Sequence, residues 1–230
     1  MSASILHFAG VTVPSGPRYE TGLSDVSFAL GPGELLLARI ERENERLPLA
    51  DATQGLIETE GGSVSFMGEC WDALSTERAA ARRGRIGRLF DDEGWINDLD
   101  VDENILLAQL HHTKRTEAEI MDEALTLARV FGLPGLPRGR ADKVRRWDLR
   151  KAACIRAFLG SPDLIIIEQP VRGVYADLTA SLLNAAQTAR RRGAAVLWTM
   201  TDPQLWNHAA MRATFRARMR GSELQMEESA

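Results

Sequence analysis

Cysteine is scarce in this chain: its 230 residues include only Cys70 and Cys154, and the two are not arranged as a C-x-x-C pair. Cys154 lies inside the apolar run 152–155, where a thiol is expected to be buried. Disulfide frameworks belong to oxidising compartments, so this sparse pattern predicts reduced thiols in a cytoplasmic protein.

Long apolar runs and an excess of basic charge are also missing. No window approaches the ~18 uninterrupted apolar residues that a membrane span requires. The amino terminus lacks the basic region and the apolar stretch of an export signal. The formal net charge of −4 provides no overall attraction for nucleic acid or for anionic lipid. We therefore expect a soluble, unexported chain that does not bind nucleic acid.

The hydrophobic pattern that is present changes between strand and helix periods. The apolar runs 163–167 and 194–200 flank a helical segment at 176–192, and this β-α-β order requires a parallel sheet. Residues 47–57 also show helical spacing. The opening of the chain shows short alternating strands separated by glycine turns.

Helical spacing dominates residues 90–160, between the opening strands and the β-α-β unit. With 44% hydrophobic residues, the chain is long enough for one packed core. We therefore predict an α/β fold in a single domain, residues 1–230, with a helical lobe inserted at 90–160.

The end of one apolar run carries polar residues that indicate nucleotide chemistry. Residues 164–167 are aliphatic and lead into Glu168, Gln169 and Pro170. In a nucleotide-hydrolysing strand, the first of two acidic residues holds Mg²⁺ and the second polarises the attacking water. Glu168 is one methylene longer than the usual aspartate, and the amide of Gln169 has almost no basicity at neutral pH. This segment keeps the shape of a hydrolytic strand and loses its chemistry.

Short segments of characteristic spacing occur along the chain: Gly33–Leu37, Gly55-Leu56, Gly61–Gly68, Ile86-Gly87 with Phe90, Leu99–Ile105, and Arg156–Phe158 followed by Pro162. In order and spacing they resemble the nucleotide-binding domain of ATP-binding cassette (ABC) transporters over nearly the whole length. The resemblance implies a P-loop NTPase-like parallel sheet core, an N-terminal antiparallel β subdomain and the inserted helical lobe.

The resemblance places a phosphate-binding loop at residues 40–48, where the family has G-x-x-x-x-G-K-[ST]. The glycines let backbone N–H groups surround the phosphates, the lysine reaches the phosphate oxygens and the hydroxyl holds Mg²⁺. Here Ile40 and Glu45 stand at the glycine positions. Arg46 replaces the lysine, and Leu47 has no metal-binding oxygen. Glutamates at 41, 43 and 45 would repel a triphosphate unless the arginines at 42 and 46 neutralise them in a local salt-bridge cluster.

Other functional positions of the family are replaced as well. The glutamine that senses the γ-phosphate corresponds to Asp91, and the switch histidine to Thr201. The L-S-G-G-Q signature falls on Val144, Arg145, Arg146, Trp147 and Asp148. With Glu168 and Gln169, these replacements predict no catalytic residue, no bound cofactor and no metal. The family's active sites form between the phosphate loop of one subunit and the signature of another, so pairing with an intact partner would complete neither site.

The resemblance also implies a partner. In the family, a groove around the segment corresponding to residues 90–105 receives a helix from a membrane permease. Trp95, Ile96 and Leu99 are apolar anchors of the kind that helix-in-groove binding uses. The alternative is that such residues fill the core of the lobe itself. Residues 94–104 loosely resemble the branch of the family that serves lipid-transporting permeases.

Two function hypotheses follow. The first is a non-hydrolysing cassette homologue, a scaffold or regulatory subunit of a membrane transport complex, cytoplasmic and peripheral to the inner membrane. The alternative is the ATP-binding subunit of an ABC transporter, which binds ATP and Mg²⁺ and hydrolyses ATP slowly. In that case Arg46 stands in for the lysine and Gln169 positions water. The loose likeness of residues 94–104 predicts that this transporter carries lipid. Under both hypotheses the partners are a permease and either a second copy or another cassette chain.

Overall fold

The computed structural model describes residues 4–41, 46–92, 94–169 and 176–227, which form ten strands and seven α-helices. The strands are β1 Leu6–Val13, β2 Leu23–Leu30, β3 Leu35–Ile40, β4 Gly61–Phe66, β5 Glu69–Cys70, β6 Ile86–Leu89, β7 Leu164–Glu168, β8 Ala195–Met200, β9 Phe215–Arg220 and β10 Glu223–Met226. The helices are α1 Leu49–Thr53, α2 Thr76–Arg83, α3 Val101–His112, α4 Glu117–Val130, α5 Arg146–Phe158, α6 Ala176–Arg191 and α7 Pro203–Trp206.

An antiparallel sheet has the strand order β2-β1-β4-β5. Buried and exposed residues alternate along much of β2, as expected when one face of a sheet packs on the core and the other meets solvent. Phe8 and Phe28 are opposite each other on β1 and β2, with their rings stacked at 4.6 Å between centroids. The predicted N-terminal antiparallel subdomain is confirmed.

A second sheet has the order β10-β9-β3-β8-β7-β6 and is parallel from β9 to β6. Nearly every residue of β3, β7 and β8 is buried, because helices and the first sheet cover both faces of these strands. The carboxyl ends of β3, β6, β7 and β8 lie along one edge, which is where ligands bind in open parallel sheets.

Helices α3, α4 and α5 lie between β6 and β7 in the chain. Ile105, Ile120 and Ala153 from these helices belong to the same hydrophobic core as Ile165 of β7 and Trp198 of β8. The helical segment therefore shares its core with the sheet. The predicted α/β fold class is confirmed, while the lobe limits 90–160 and the single domain 1–230 stay predictions.

Helix α1 is shorter than predicted, because it covers Leu49–Thr53 rather than residues 47–57. The chain leaves the helix at Gly55, which has a φ of +59° and packs under the ring of Trp71. A Cβ at Gly55 would come within 2.4 Å of that ring. The indole Nε1 of Trp71 also donates to the carbonyl oxygen of Thr53 at 3.0 Å. A tertiary contact therefore occupies the space into which the helix would have continued.

Candidate functional site

A cleft of about 430 Å³ lies at the carboxyl edge of the parallel sheet. The strand ends contribute Ile40 of β3, Glu168 of β7 and Thr199 of β8. The loop before β2, the region around α1 and the segment after β6 contribute Arg18, Tyr19, Arg46, Leu47, Leu49, Ala50, Asp51, Phe90, Asp91, Asp92 and Gly94. Of the positions predicted from the sequence, the structure brings together Ile40, Arg46, Leu47, Asp91, Glu168 and Gln169.

An arginine that sequence reasoning missed lies inside this cleft. Arg88 on β6 hydrogen-bonds to both carboxylate oxygens of Glu168, with Nε–Oε1 at 2.6 Å and Nη2–Oε2 at 3.1 Å. Its Nη1 donates to Asp51 Oδ1 at 2.5 Å and to Gln54 Oε1 at 2.8 Å. The side chain is only 11% exposed, and the ring of Phe90 lies 4.4 Å from its guanidinium carbon. One guanidinium thus connects β6, β7 and the α1 region.

The sequence did contain a signal for this residue. Arg88 is the one charged residue in the short stretch Ile86–Leu89. The structure shows this stretch as a strand in which Gly87 and Leu89, on either side of Arg88, are both buried. Long charged residues rarely occupy such strands unless they have a partner. Nothing in the spacing, however, indicates which carboxylate that partner is.

Asp51 has a second donor in the cleft, because the Tyr19 hydroxyl donates to its Oδ2 at 2.5 Å. Burial alone would raise the pKa of Asp51, but the hydrogen bonds from Tyr19 and Arg88 outweigh it and lower that pKa. Burial, the hydrogen bond to Asp51 and the charge of Asp51 raise the pKa of Tyr19 to about 12. Tyr19 is therefore a neutral phenol at physiological pH.

Glu168 and Arg88 form a largely buried ion pair. Burial raises the pKa of Glu168, although the Arg88 guanidinium opposes the rise. Burial also disfavours the charge of Arg88, but its hydrogen bonds to Glu168 and Asp51 and their charges outweigh this effect and raise its pKa. Arginine keeps its proton in proteins, so a fixed positive charge always lies beside Glu168.

A second missed arginine fixes the backbone around Gln169. Gln169 is buried and has a φ of +37°, which is uncommon for a residue with a side chain. Its N–H donates to the Thr199 carbonyl oxygen at 3.0 Å, and its own carbonyl oxygen accepts from Arg150 Nη2 at 3.4 Å. Arg150, on α5, also donates to the Phe90 carbonyl oxygen at 2.8 Å. The segments after β6 and β7 are therefore joined through α5.

The predicted phosphate loop lies only partly within the described residues. Ile40 is buried, Arg46 is exposed and Leu47 is half-buried, whereas Glu45 lies outside the described residues. Glu41 pairs with Arg220 on β9, with Oε1 and Nε 3.5 Å apart. The expected local salt-bridge cluster stays a prediction, because Arg42, Glu43 and Glu45 lie outside the described residues.

Comparison with known proteins explains this architecture. No family profile matches the chain. The phosphonates import ATP-binding protein PhnC 2 of Synechococcus sp. (strain JA-2-3B'a(2-13)) is 24% identical over 206 residues, which cover 85% of this chain and 77% of that protein. The dimeric bacterial ABC transporter cassette MJ0796 is 16% identical, with a TM-score of 0.82 over 97% of this chain and 98% of that chain. An ATP-binding subunit of an ABC transporter is 19% identical, with a TM-score of 0.79 over 96% and 88% of the two chains.

The chain has the fold of these ABC transporter cassettes and resembles the ATP-binding protein in sequence. The family resemblance inferred from the sequence is confirmed. That the chain is a degenerate member, with its functional positions replaced, stays a prediction.

The end of β7 offers a magnesium ion no unengaged carboxylate oxygen. Both oxygens of Glu168 accept hydrogen bonds from Arg88, and Leu47 offers no oxygen. Among the residues that the structure describes, no cluster of three or more histidine, cysteine, aspartate or glutamate side chains is arranged to hold a metal. Magnesium requires several oxygen ligands in near-octahedral geometry. The carboxylates of Glu168 and Asp51 already accept hydrogen bonds from Arg88 and Tyr19, and Asp91 and Asp92 also line the cleft.

The predicted counterpart of the signature lies at the start of helix α5 and is separate from the cleft. Arg145 is the N-cap residue, and Arg146 is the first residue of the helix. Both are exposed. Trp147 packs against the hydrophobic core, with the Lys151 ammonium 5.2 Å from its ring centroid. Within the described chain, none of the five predicted residues, Val144, Arg145, Arg146, Trp147 and Asp148, lines the cleft.

The switch histidine was expected at Thr201, but the residue of this region that lines the cleft is Thr199. Thr199 lines the cleft, and its hydroxyl donates to the Ile167 carbonyl oxygen at 3.5 Å. Thr201 follows the strand and is half-buried. Asp202 caps helix α7 by accepting from the Gln204 N–H at 2.7 Å. Neither Thr201 nor Asp202 is among the cleft-lining residues of the described chain.

The predicted docking residues Trp95, Ile96 and Leu99 differ in accessibility. Trp95 packs against the core and lies 4.5 Å from the Arg156 guanidinium carbon, and Leu99 is half-buried. Ile96 is 48% exposed. Its backbone is held by Asn104, whose Oδ1 accepts from the Ile96 N–H at 2.9 Å and whose Nδ2 donates to the Ile96 carbonyl oxygen at 3.1 Å. The segment thus presents Ile96 outward from a fixed backbone.

None of the helices in the described residues combines the length and the apolar character that crossing a lipid bilayer requires.

Proposed function

We propose that this cassette is a non-hydrolysing subunit of a membrane transport complex, with a scaffold or regulatory role. Support for the transport context comes from its relationship to an ATP-binding subunit that serves phosphonate import and from its likeness to transporter cassettes. The substance transported by its complex is left open, and the likeness to the lipid-transporting branch stays a prediction.

The chemistry at the end of β7 carries the proposal. Hydrolysis requires a group that activates water and a metal that neutralises charge developing on the phosphates. Gln169 stands where the activating carboxylate would be, and an amide is too weak a base. Glu168 is engaged by Arg88, and no hydroxyl is present at Leu47. Each of the groups that hydrolysis uses is therefore replaced or occupied.

Phosphate release from ATP tests the absence of hydrolysis. The cassette MJ0796, whose post-hydrolysis state with ADP and Pi is known, is the active control. We expect turnover of this chain to be at least about 10³-fold lower, since a missing general base alone costs roughly 10²–10⁴-fold. The variant Gln169→Glu should remain inactive because Arg88 and Leu47 are unchanged. A tenfold or greater gain in this variant would mean that nucleotide binds productively and only the base is missing.

The second candidate function is ATP binding with slow hydrolysis. The cleft volume of about 430 Å³ supports it, since ligand pockets typically measure roughly 300–1,000 Å³. Arg18 and Arg46 also supply positive charge at the cleft lining. Calorimetric titration with ATP, with and without Mg²⁺, separates the candidates. Micromolar affinity that is lost in Arg46→Met but kept in Arg85→Met would favour ATP binding, and millimolar or absent affinity would favour the scaffold role.

The proposed partner is a permease that contacts Ile96, so that the cassette lies at the cytoplasmic side of the membrane without entering it. The variant Ile96→Asp should reduce co-purification with a co-expressed permease encoded beside its gene. Val130→Asp is the matched control, because Val130 is 46% exposed, close to the 48% of Ile96, and lies at the end of α4. Equal capture of both variants would exclude Ile96 from the contact.

We also propose that the cassette dimerises, either with a second copy or with another cassette chain.

A further inference from the structure

We propose that Arg88 is a resident cation that takes the place of a divalent metal ion in the cleft. This inference rests on the contacts of Arg88, and it is independent of any role in transport. It predicts that the cleft is indifferent to divalent ions and that removal of Arg88 creates a site for one.

The hydrogen bonds of the two central carboxylates support this inference. Both oxygens of Glu168 and Oδ1 of Asp51 accept from Arg88. The remaining oxygen of Asp51 accepts from Tyr19. All four carboxylate oxygens therefore already have an N–H or O–H donor, and a metal ion could bind only by displacing one of them.

The charge of Arg88 also opposes the binding of a metal ion. A guanidinium does not dissociate and does not lose its proton, so its charge is present at every divalent-ion concentration. A second cation in the same cleft would be repelled by it, most strongly where water is partly excluded. The side chains of Arg88 and Glu168 are only 11% and 19% exposed. Arg88 thus supplies permanently the neutralisation that a metal ion would supply on binding.

Arg88 also connects two strands and a helix, as a metal ion bound by the same carboxylates would. Arg88 lies on β6, Glu168 ends β7, and Asp51 lies in α1. Gln54, directly after α1, accepts from the same Nη1 as Asp51. Loss of the guanidinium would leave the carboxylates of Glu168 and Asp51 without their hydrogen-bonded counter-ion, with the charge of Arg18 acting on Asp51. Carboxylate oxygens are the ligands that Mg²⁺ and Mn²⁺ prefer.

The variant Arg88→Met tests the inference, since methionine keeps an apolar stem and removes the charge. The probe is Mn²⁺ alone, without nucleotide, followed by electron paramagnetic resonance and by thermal unfolding. We expect saturable Mn²⁺ binding by this variant, at least tenfold tighter than any binding by the native chain. At about a hundredfold excess over Kd, Mn²⁺ should raise its melting temperature by roughly 5–10 °C and leave that of the native chain unchanged.

Two controls make the result specific. Arg85→Met removes an arginine of the adjoining segment whose partner, Asp163, lies outside the cleft, with Nε and Oδ2 2.6 Å apart. It should acquire no Mn²⁺ binding. The double variant Arg88→Met with Glu168→Gln should lose the binding acquired by Arg88→Met. If Arg88→Met does not fold alone, Arg88→Gln is used with the same readouts, and folding that requires millimolar Mn²⁺ supports the inference.

Two results would overturn the proposal. One is equally tight Mn²⁺ binding by the native chain and Arg88→Met, which would show that Arg88 does not occupy the metal's place. The other is a folded Arg88→Met or Arg88→Gln variant that ignores saturating Mn²⁺. Neither result bears on ATP turnover, which is measured separately, so failure here is distinguishable from failure of the proposed function.

Discussion

Two arginines, Arg88 and Arg150, connect the segments that meet at the cleft. Arg88 joins β6 to Glu168 and Asp51 through its guanidinium. Arg150 joins backbone carbonyls of the segments after β6 and β7. Each donates in several directions at once, which suits the five N–H groups of a planar guanidinium. A lysine at either position would retain the charge and lose most of these contacts.

Tyr19 provides a pH test of the same network. Its pKa in the folded chain is about 12, whereas an unfolded tyrosine titrates near ~10. Between these pKa values the unfolded state binds fewer protons than the folded state. The contribution of Tyr19 to the free energy of unfolding is therefore complete below pH ~10 and is lost as pH rises toward 12. We expect the free energy of unfolding in urea to fall over this range, and to fall less steeply in Tyr19→Phe.

Tyrosinate absorbance provides an independent measurement of this pKa. The chain has two tyrosines, Tyr19 and Tyr175. In the variant Tyr19→Phe, the tyrosinate absorbance therefore comes from Tyr175 alone, and the difference from the native chain gives the titration of Tyr19. Asp51→Asn removes the negative charge beside the phenol and should lower the pKa of Tyr19. An unchanged titration in Asp51→Asn would contradict the assigned contact.

At the scale of elements, the close approach of α5 to β6 determines where Arg88 and Arg150 lie. Gly87 on β6 makes this approach feasible, since a Cβ there would come within 1.9 Å of the Ala157 carbonyl oxygen and 3.0 Å of Pro162. The helix backbone therefore packs directly on the strand. Arg150 is on that helix, and Arg88 follows Gly87 on that strand.

The variant Gly87→Ala should consequently destabilise the chain. Overpacking of this kind costs typically about 1–3 kcal/mol, and a clash with backbone leaves little room for relaxation. Urea unfolding measures the loss. Gly135→Ala is the control, because no atom lies within 4 Å of the added Cβ, and its effect should stay within about 0.5 kcal/mol. Equal stability of the two variants would mean that α5 moves freely relative to β6.

At the scale of the whole molecule, the terminal hairpin β9-β10 joins the two sheets. β9 pairs with β3 in the parallel sheet and with β10 at the edge. The Ser24 N–H in the antiparallel sheet donates to the Ser222 carbonyl oxygen of the hairpin turn at 2.8 Å. Arg218 and Glu227 add an ion pair across the hairpin at 2.5 Å.

Truncation after residue 221 tests this role. It removes β10 and the Ser222 contact and leaves β9 as an exposed edge strand, which favours association with other chains. We expect a lower urea midpoint and concentration-dependent oligomers in size-exclusion chromatography. A chain that ends at Glu227 keeps both strands and should match the full-length chain. If the two truncated chains behave alike, the hairpin does not stabilise the molecule.

The sequence by itself determined the fold class and the resemblance to ABC transporter cassettes, and it predicted which active-site positions are altered. Apolar alternation and β-α-β order depend on near neighbours, so strands such as 163–167 and 194–200 could be predicted within a residue or two. The family landmarks predict the functional positions of Glu168, Gln169 and Leu47, and the chemistry expected to be missing there follows from residue type alone. The length of α1 could not be predicted in this way, because Trp71 ends the helix from outside.

Only the tertiary structure decided how the charges of the cleft are neutralised. Arg88 lies 80 positions from Glu168 and 37 from Asp51, and Arg150 lies 60 from Phe90. Side-chain spacing along a chain specifies which residues share a face of a strand or helix, but not which faces meet. Ion pairing depends on distance and burial in three dimensions, so the partner of each arginine was defined only when the strands and helices had packed.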